Sequence, residues 1–475
     1  MGACAARPAR TLIAAAVAAS LASLAASAWA QTPAPESANA SANDAALTLG
    51  TITVQSAPSG ALNARNVFSS VDILGASVLQ DQHVDYSWEL LTRAPGVQVT
   101  QFKQGTDAGR FSMRGFNGEG RVNAVKLLID GIPSNDNAGG MPFLDAVFPL
   151  DIEAIEIVRG TNDPRYGLNN IAGNANVITR QGGNDGQASV TLGSFGTREL
   201  QLAKGFESGN WSQNYLVATR ESDGYRDHAD ADKKALSGKW FYTSDSGQWR
   251  AGVIARYYKN KALESGYLTA EQAASAPRSS PAYAAWDRSE RETTQLSAHL
   301  DGQLANDLSW TAKAYTQHYE NQRFVRFSQA GVQQERGNDE THKGLITTLT
   351  WRPKVAWAHA FTLEGGLDAQ WQDNEAERYR TVQQARTSQI RAWDFDLNTR
   401  GAYVQAVVQP VQALKIIPAL RVDRVSGSFT DGLTQITSPV HDYGTITQPK
   451  ISVVYAVRPD TSVYANWGRT FQIGT

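Results

Sequence analysis

The sequence predicts an antiparallel transmembrane β-barrel, with a compact α+β domain ahead of it folded into the lumen. Three observations point there. After Gln187 the chain alternates apolar and polar residues in segments of about ten, the length of a tilted strand that crosses a bilayer. The connections between those segments are short and long in turn. The stretch before them, roughly 120 residues, mixes helix and strand patterns and has the size of a separate domain.

Composition alone reads as an ordinary soluble protein: 475 residues, formal net charge −2, 41% hydrophobic, mean hydropathy −0.37. No helix-length apolar run follows the N-terminus, which excludes a helical membrane protein. A barrel stays possible, because its strands hide their apolar residues by alternation. The balance is slightly acidic and no basic run occurs, so a nucleic-acid partner finds no support.

Residues 1–30 read as a signal peptide. Arg7 and Arg10 give a positive start, Thr11 to Ala25 an alanine- and leucine-rich core, and Ala28-Trp29-Ala30 a small-residue cleavage site. Cleavage after Ala30 leaves Gln31 as the first mature residue. The single cysteine, Cys4, is removed with the leader, so no disulfide is expected.

Residues 31–59 form a lead rich in Ala, Ser, Pro and Asn, with one β-prone island, "LTLGTITV": Leu47, Thr48, Leu49, Gly50, Thr51, Ile52, Thr53 and Val54. Residues 60–181 make the compact domain. Val84 to Leu91 suits a short helix ended by Pro95-Gly96. "AVKLLIDG" (Ala124–Gly131) and "AIEIVRG" (Ala154–Gly160) read as buried strands. "IEIVRGTNDPRYGLNNIAGNANVITR" carries Gly160, Gly167 and Gly173, yet has neither phosphate-loop nor dinucleotide-loop spacing. Tight turns and close backbone approach inside a crowded tube give those glycines a use.

From 187 to 475 come the alternating segments, for example Thr293–Asp301, Thr362–Gln372 and Ala402–Gln409. We count about 13 of them. Short turns fall at Ser244–Gly247, Ala305–Asp307 and Arg458–Asp460. Long polar loops are expected at 261–291, 324–341, 373–397 and 430–446. That asymmetry fits short periplasmic turns and long outer loops, with outer-membrane lipid around the wall. A wide pore would leak, so the preceding domain is expected to plug it.

Four stretches carry a closer resemblance: "RFSMRGF" (Arg110–Phe116), "LLIDGIP" (Leu127–Pro133), "IEIVRG" (Ile155–Gly160) and "YGLNNIAGNANVITR" (Tyr166–Arg180). In order and spacing the chain resembles the TonB-dependent outer-membrane receptors, and "LTLGTITV" stands where that family has its TonB box. Departures are Thr161 in place of the usual Pro, and "GNANVIT" near Gly173. The resemblance implies a Gram-negative outer membrane, a TonB-type energy-transducing partner in the inner membrane that pulls on the box, and a transported ferric siderophore. It also implies that Arg114 and Arg159 pair with barrel carboxylates to latch the plug. Pairing of the box as an added strand would need little side-chain sequence.

Glu264–Arg291 resembles the long loop of ferric-citrate-type receptors, which implies a carboxylate siderophore. Such a cargo is anionic, and Lys103, Arg121, Arg278, Arg288 and Arg291 are the cations expected near the outer mouth. The Fe(III) complex is cargo, and no cofactor or resident metal is expected. Only a short lead separates Ala30 from Leu47, too little for a folded signalling domain, so transport without transcriptional signalling is expected. A receptor for cobalamin, haem or copper, a non-functional truncated receptor and a passive porin are the alternatives. An enzyme is not expected, since no G-x-S-x-G or H-E-x-x-H motif occurs and the histidines are scattered. A family barrel has roughly 22 strands. The shorter count, and an end in mid-strand at "YANWGRTFQIGT", lead us to expect a truncated product with a partial barrel that would not insert stably.

Overall fold

The computed structural model describes residues 70–79, 82, 84–100, 105–106, 109–116, 123–160, 163–458 and 461–473. The leader, the Leu47–Val54 island, Lys103 and Arg121 lie outside them.

The plug is built on a five-stranded mixed sheet. Its strands are β1 (Ser70–Gly75), β4 (Val125–Ile129), β5 (Ile132–Pro133), β6 (Ile152–Arg159) and β7 (Gly173–Thr179), in the order β1-β6-β7-β4-β5. A separate ribbon pairs β2 (Val97–Thr100) with β3 (Arg110–Met113). The runs read as buried strands become β4 and β6, covered on both faces as continuous apolar runs require. β4 runs parallel to β7, and β6 antiparallel to it. The expected helix appears as a 3-10 helix over Ser87–Arg93 that buries Trp88, Leu90 and Leu91. These pack with Phe111, Leu127, Ile129, Phe143, Ile155, Ile157 and Val177 into one core.

Gly173 shows why a glycine stands there. Its φ is 130°, and a Cβ would sit 1.9 Å from the Val158 carbonyl oxygen on the neighbouring strand. The β6–β7 pair closes only without a side chain at that point.

The rest of the chain is one antiparallel wall. Its strands are β8 (Gly186–Leu192), β9 (Arg198–Ser208), β10 (Trp211–Ser222), β11 (Ala231–Thr243), β12 (Trp249–Leu263), β13 (Arg288–Ala305), β14 (Leu308–Val325), β15 (Gln333–Trp351), β16 (Ala360–Val382), β17 (Ala385–Val411), β18 (Leu414–Asp431), β20 (Ile446–Arg458) and β21 (Thr461–Gly468). These thirteen form the hydrogen-bonded path, and the short β19 (Ile436–Pro439) pairs with β18. Among the described residues β8 and β21 do not pair with each other, so the barrel is partial. Among those residues, too, no helix is long and apolar enough to cross a membrane.

The wall is inside-out relative to a soluble sheet. On β13, Arg291, Thr293, Gln295, Ser297 and His299 are buried, while Leu296 and Leu304 are exposed. Leu345, Leu349, Leu367, Val404 and Leu420 continue the exposed apolar band. A polar interior and an apolar exterior are what a lipid-embedded barrel needs.

Two expected loops are corrected. Residues 373–397 are the upper halves of β16 and β17, joined by a two-residue turn at Gln383-Gln384 with φ of 48° and 69°. Both central residues are left-handed, as in the type I′ turn that suits twisted hairpins. Most of 324–341 is likewise strand, and only 326–332 connects β14 to β15. The 23 and 27 residues of β16 and β17 far exceed the ~9–11 that span a bilayer, so their outer halves stand beyond the lipid.

Candidate functional site

Four plug carboxylates fasten the plug to one side of the wall. Asp85 binds Arg220 of β10, which also holds Glu199 at 2.8 Å. Asp151 binds Lys239 of β11, Asp130 binds Arg256 of β12, and Asp145 binds Arg291 of β13. In the last three pairs both side chains are at most 2% exposed. Four consecutive strands each pair one inward cation with a plug carboxylate, and β11 adds Lys233 over the Tyr86 ring.

Asp130 shows how local chemistry sets this up. It opens the "DG" turn between β4 and β5, where Asp130 and Gly131 have φ of 51° and 77°. Asp tolerates the left-handed region better than most side chains, and Gly takes it freely. The carboxylate folds back onto Thr179 N and Oγ1, each at 2.9 Å, and reaches Arg256. Burial pushes its pKa up, but Arg256 and Lys239, helped by the Thr179 amide, hold it below the ordinary value.

The expected latch has the opposite polarity. Arg159 binds Asp72 of the adjacent β1 and donates to Pro95 O, which closes the plug on itself. Arg114 is exposed in the turn after β3 and makes no ion pair among the described residues. The charged inward positions of β10–β13 that meet the plug are basic, and its turns and 3-10 segments supply the acids.

Opposite this anchored side, contacts between plug and wall are mostly hydrogen bonds. Lys313 of β14 donates to Asp130 O at 2.7 Å, and Gln317 to Pro133 O at 2.7 Å. Asn137 donates from N and Nδ2 to Glu340 of β15, each at 3.0 Å. Arg421 of β18 donates to the carbonyls of Pro164 and Arg165.

A cavity of about 750 Å³ lies between the plug and β14–β18. Its lining includes nine Arg or Lys against six Asp or Glu. One feature dominates its outer part. Arg323 lies opposite Arg336, Arg336 opposite Arg378, and Arg378 opposite Arg391, across β14 to β17. All four line the cavity. Like charges directly opposite one another are destabilising, so such a rung costs fold stability. Glu264 binds Arg323 at 2.8 Å, and Arg336 and Arg391 sit over the rings of Phe327 and Trp393.

The cations named from sequence fall elsewhere. Arg291 is committed to Asp145, inside the plug contact. Arg278 donates to Tyr225 O and sits over the Phe195 and Tyr225 rings, pinning an outer loop. Arg288 donates to Gln384 Oε1 and sits over Phe324. None of these three lines the cavity. Three of the four rung arginines, Arg336, Arg378 and Arg391, were missed because 324–341 and 373–397 read as loops. Their signal is register, visible only once the strands are paired.

The TonB-dependent receptor plug-domain model matches residues 63–174, and the TonB-dependent receptor-like β-barrel model matches residues 221–475. The chain belongs to the TonB-dependent receptors. Among curated relatives, a vitamin B12 transporter of Vibrio cholerae serotype O1 is 24% identical over 434 residues, covering 86% of this chain and 60% of its own. An iron-regulated outer-membrane virulence protein of the same organism is 28% identical over 251 residues, 47% of this chain and 36% of its own. Among solved structures, the unliganded ferric citrate transporter FecA superposes with a TM-score of 0.73 at 18% identity, covering 84% of this chain and 62% of its own. The ferric yersiniabactin uptake receptor of Yersinia pestis gives 0.72 at 16%, covering 85% and 64%. This receptor chain therefore spans about 60% of the length of relatives it matches along most of its own.

Proposed function

We propose that the chain forms the plug and part of the wall of an outer-membrane importer for an anionic ferric siderophore, of the ferric-citrate or other carboxylate type. The observation that carries this reading is the rung Arg323–Arg336–Arg378–Arg391 above the plug, facing the cavity. Arg binds carboxylates in a fixed two-pronged geometry, and a cargo with several carboxylates rewards a row of them. An anion drawn in among these four guanidinium groups offsets their mutual repulsion. The leader directs export with cleavage after Ala30. Leu47–Val54 adds as a strand to a TonB-type partner, whose pull frees the plug. Arg278 and Arg288 shape the outer loops.

A cobalamin cargo is the second reading, because the relatives matched along most of the chain include vitamin B12 transporters. Binding to the purified full chain, followed by quenching of tryptophan fluorescence, separates the two. Ferric citrate is expected to bind, and Arg336→Gln with Arg391→Gln to weaken it by about tenfold or more. Binding of cobalamin alone contradicts the siderophore reading. Uptake that survives deletion of residues 47–54 contradicts energised transport.

A further inference from the structure

The apolar exterior of the wall carries a trough on its β14–β18 side, with a volume of about 780 Å³. Trp310, Leu349, Trp351, Leu363, Leu367 and Leu420 line it. Its floor is low because small residues stand at the centre. Gly365 pairs with Leu349 and Val404, and Ala402 with Leu367 and Val422. A Cβ at Gly365 would have only Tyr403 O within 4 Å, at 3.5 Å.

Every polar side chain in the lining already has a partner. Trp310 Nε1 donates to Thr347 Oγ1 at 2.6 Å, and that hydroxyl donates to Thr311 O at 3.0 Å. Trp351 Nε1 donates to Asp307 Oδ2 at 2.9 Å, and the Tyr403 hydroxyl to Glu364 Oε1 at 2.9 Å. An ordered water needs two or more polar partners, and the trough supplies none. An apolar guest is what fits it.

One end of the trough lies at the periplasmic rim. Trp351 closes β15 and pairs with Leu308, which follows the short 305–307 turn. Just beyond, residues 352–359 join β15 to β16 and carry Arg352 and Lys354, both exposed. Among the described residues neither makes an ion pair; Arg352 donates to Ser309 Oγ at 3.4 Å. Asp307, whose carbonyl takes the Arg352 amide at 2.7 Å, spends its carboxylate on Trp351. From Leu363 to Leu367 the trough runs about 14 Å along β16, at ~3.4 Å per residue. That is close to the depth of one leaflet, half of the ~30 Å hydrocarbon core.

We propose that the trough and the 352–359 turn bind one anionic phospholipid of the periplasmic leaflet. One acyl chain lies over Gly365 and Ala402, and Arg352 and Lys354 hold the phosphate. The trough is continuous with the lipid-facing band, which brings lipid to it. Basic side chains at a membrane surface select anionic headgroups, and Arg matches phosphate in two-pronged geometry. The site is independent of whatever is transported.

The test is native mass spectrometry of the purified full chain in detergent, with phosphatidylglycerol and phosphatidylcholine of identical acyl chains added in parallel. About one phosphatidylglycerol per chain is expected to stay on the wild type. Gly365→Leu, which lays a side chain into the trough, is expected to lower retention by about tenfold or more. Ala298→Leu, exposed on β13 outside the trough, is expected to keep it. Arg352→Gln with Lys354→Gln is expected to abolish the preference for phosphatidylglycerol. Wild-type tryptophan quenching by acyl-brominated phosphatidylglycerol, stronger than by its phosphatidylcholine counterpart, reads the same site without a variant. Equal retention or equal quenching by the two lipids overturns the proposal. So does retention in Gly365→Leu, or a matching loss in Ala298→Leu.

Discussion

At the scale of single residues, the buried pairs between plug and wall govern stability. Asp151 and Lys239 are both 0% exposed, and Lys239 also donates to Arg180 O at 2.7 Å. Losing one partner strands a charge in a dry site. Lys239→Met is expected to cost about 3–5 kcal/mol, and Asp151→Leu with Lys239→Met clearly less. Thermal unfolding of the three forms in detergent checks the order. Asp136 offers a pH test. Burial first, and then the Glu340 charge, push its pKa up to about 7 from 3.8. A raised folded pKa gives stability that is complete below about pH 4 and is lost as pH rises to 7. Protection of the 134–140 amides, taken relative to the base-catalysed exchange of an unfolded chain at each pH, should therefore fall between pH 4 and 7, and Asp136→Asn should flatten that fall. His342, which faces the same place, opposes the rise. In the sequence "LLIDGIP" stood out as one of the stretches that resemble the receptor family's plug. It could not show that Asp130 meets Arg256, because 126 residues separate them and only strand register brings them together.

At the scale of elements, alternation was legible wherever a strand has lipid on one side and the lumen on the other. Leu296, Leu345 and Leu367 stand on apolar faces because their opposite neighbours look into the barrel. The same strands became unreadable above the membrane. In 373–397 both faces meet water, so no apolar stripe remains and a hairpin looks like a polar loop. That misreading hid Arg378 and Arg391, and with them the arginine rung. Two element-scale expectations follow from lipid facing one side only. Leu345→Arg, on the outward band, should destabilise the inserted protein by about 2–4 kcal/mol if it sits near mid-bilayer. Gln383→Asn with Gln384→Gly should stiffen the β16–β17 hairpin, since Asn-Gly is the favoured type I′ pair. The first is read from urea unfolding in vesicles, the second from slower hydrogen exchange near the turn.

At the scale of the whole molecule, the two regions are one machine. Charge pairs tie the plug to β10–β13, while hydrogen bonds and the cavity lie on the β14–β18 side. Phe148 of the plug packs with Ala203, Leu216, Ala218, Ala235 and Tyr258 of the wall, so an apolar contact joins the ionic ones. The most direct measurement is disulfide trapping in membranes. Leu150 N donates to Gln201 Oε1 at 3.2 Å across the plug–wall boundary. Leu150→Cys with Gln201→Cys should cross-link almost completely under mild oxidation, and Leu150→Cys with the outward Leu345→Cys should not. Failure of the first pair, or equal trapping of both, would contradict a plug held inside the wall.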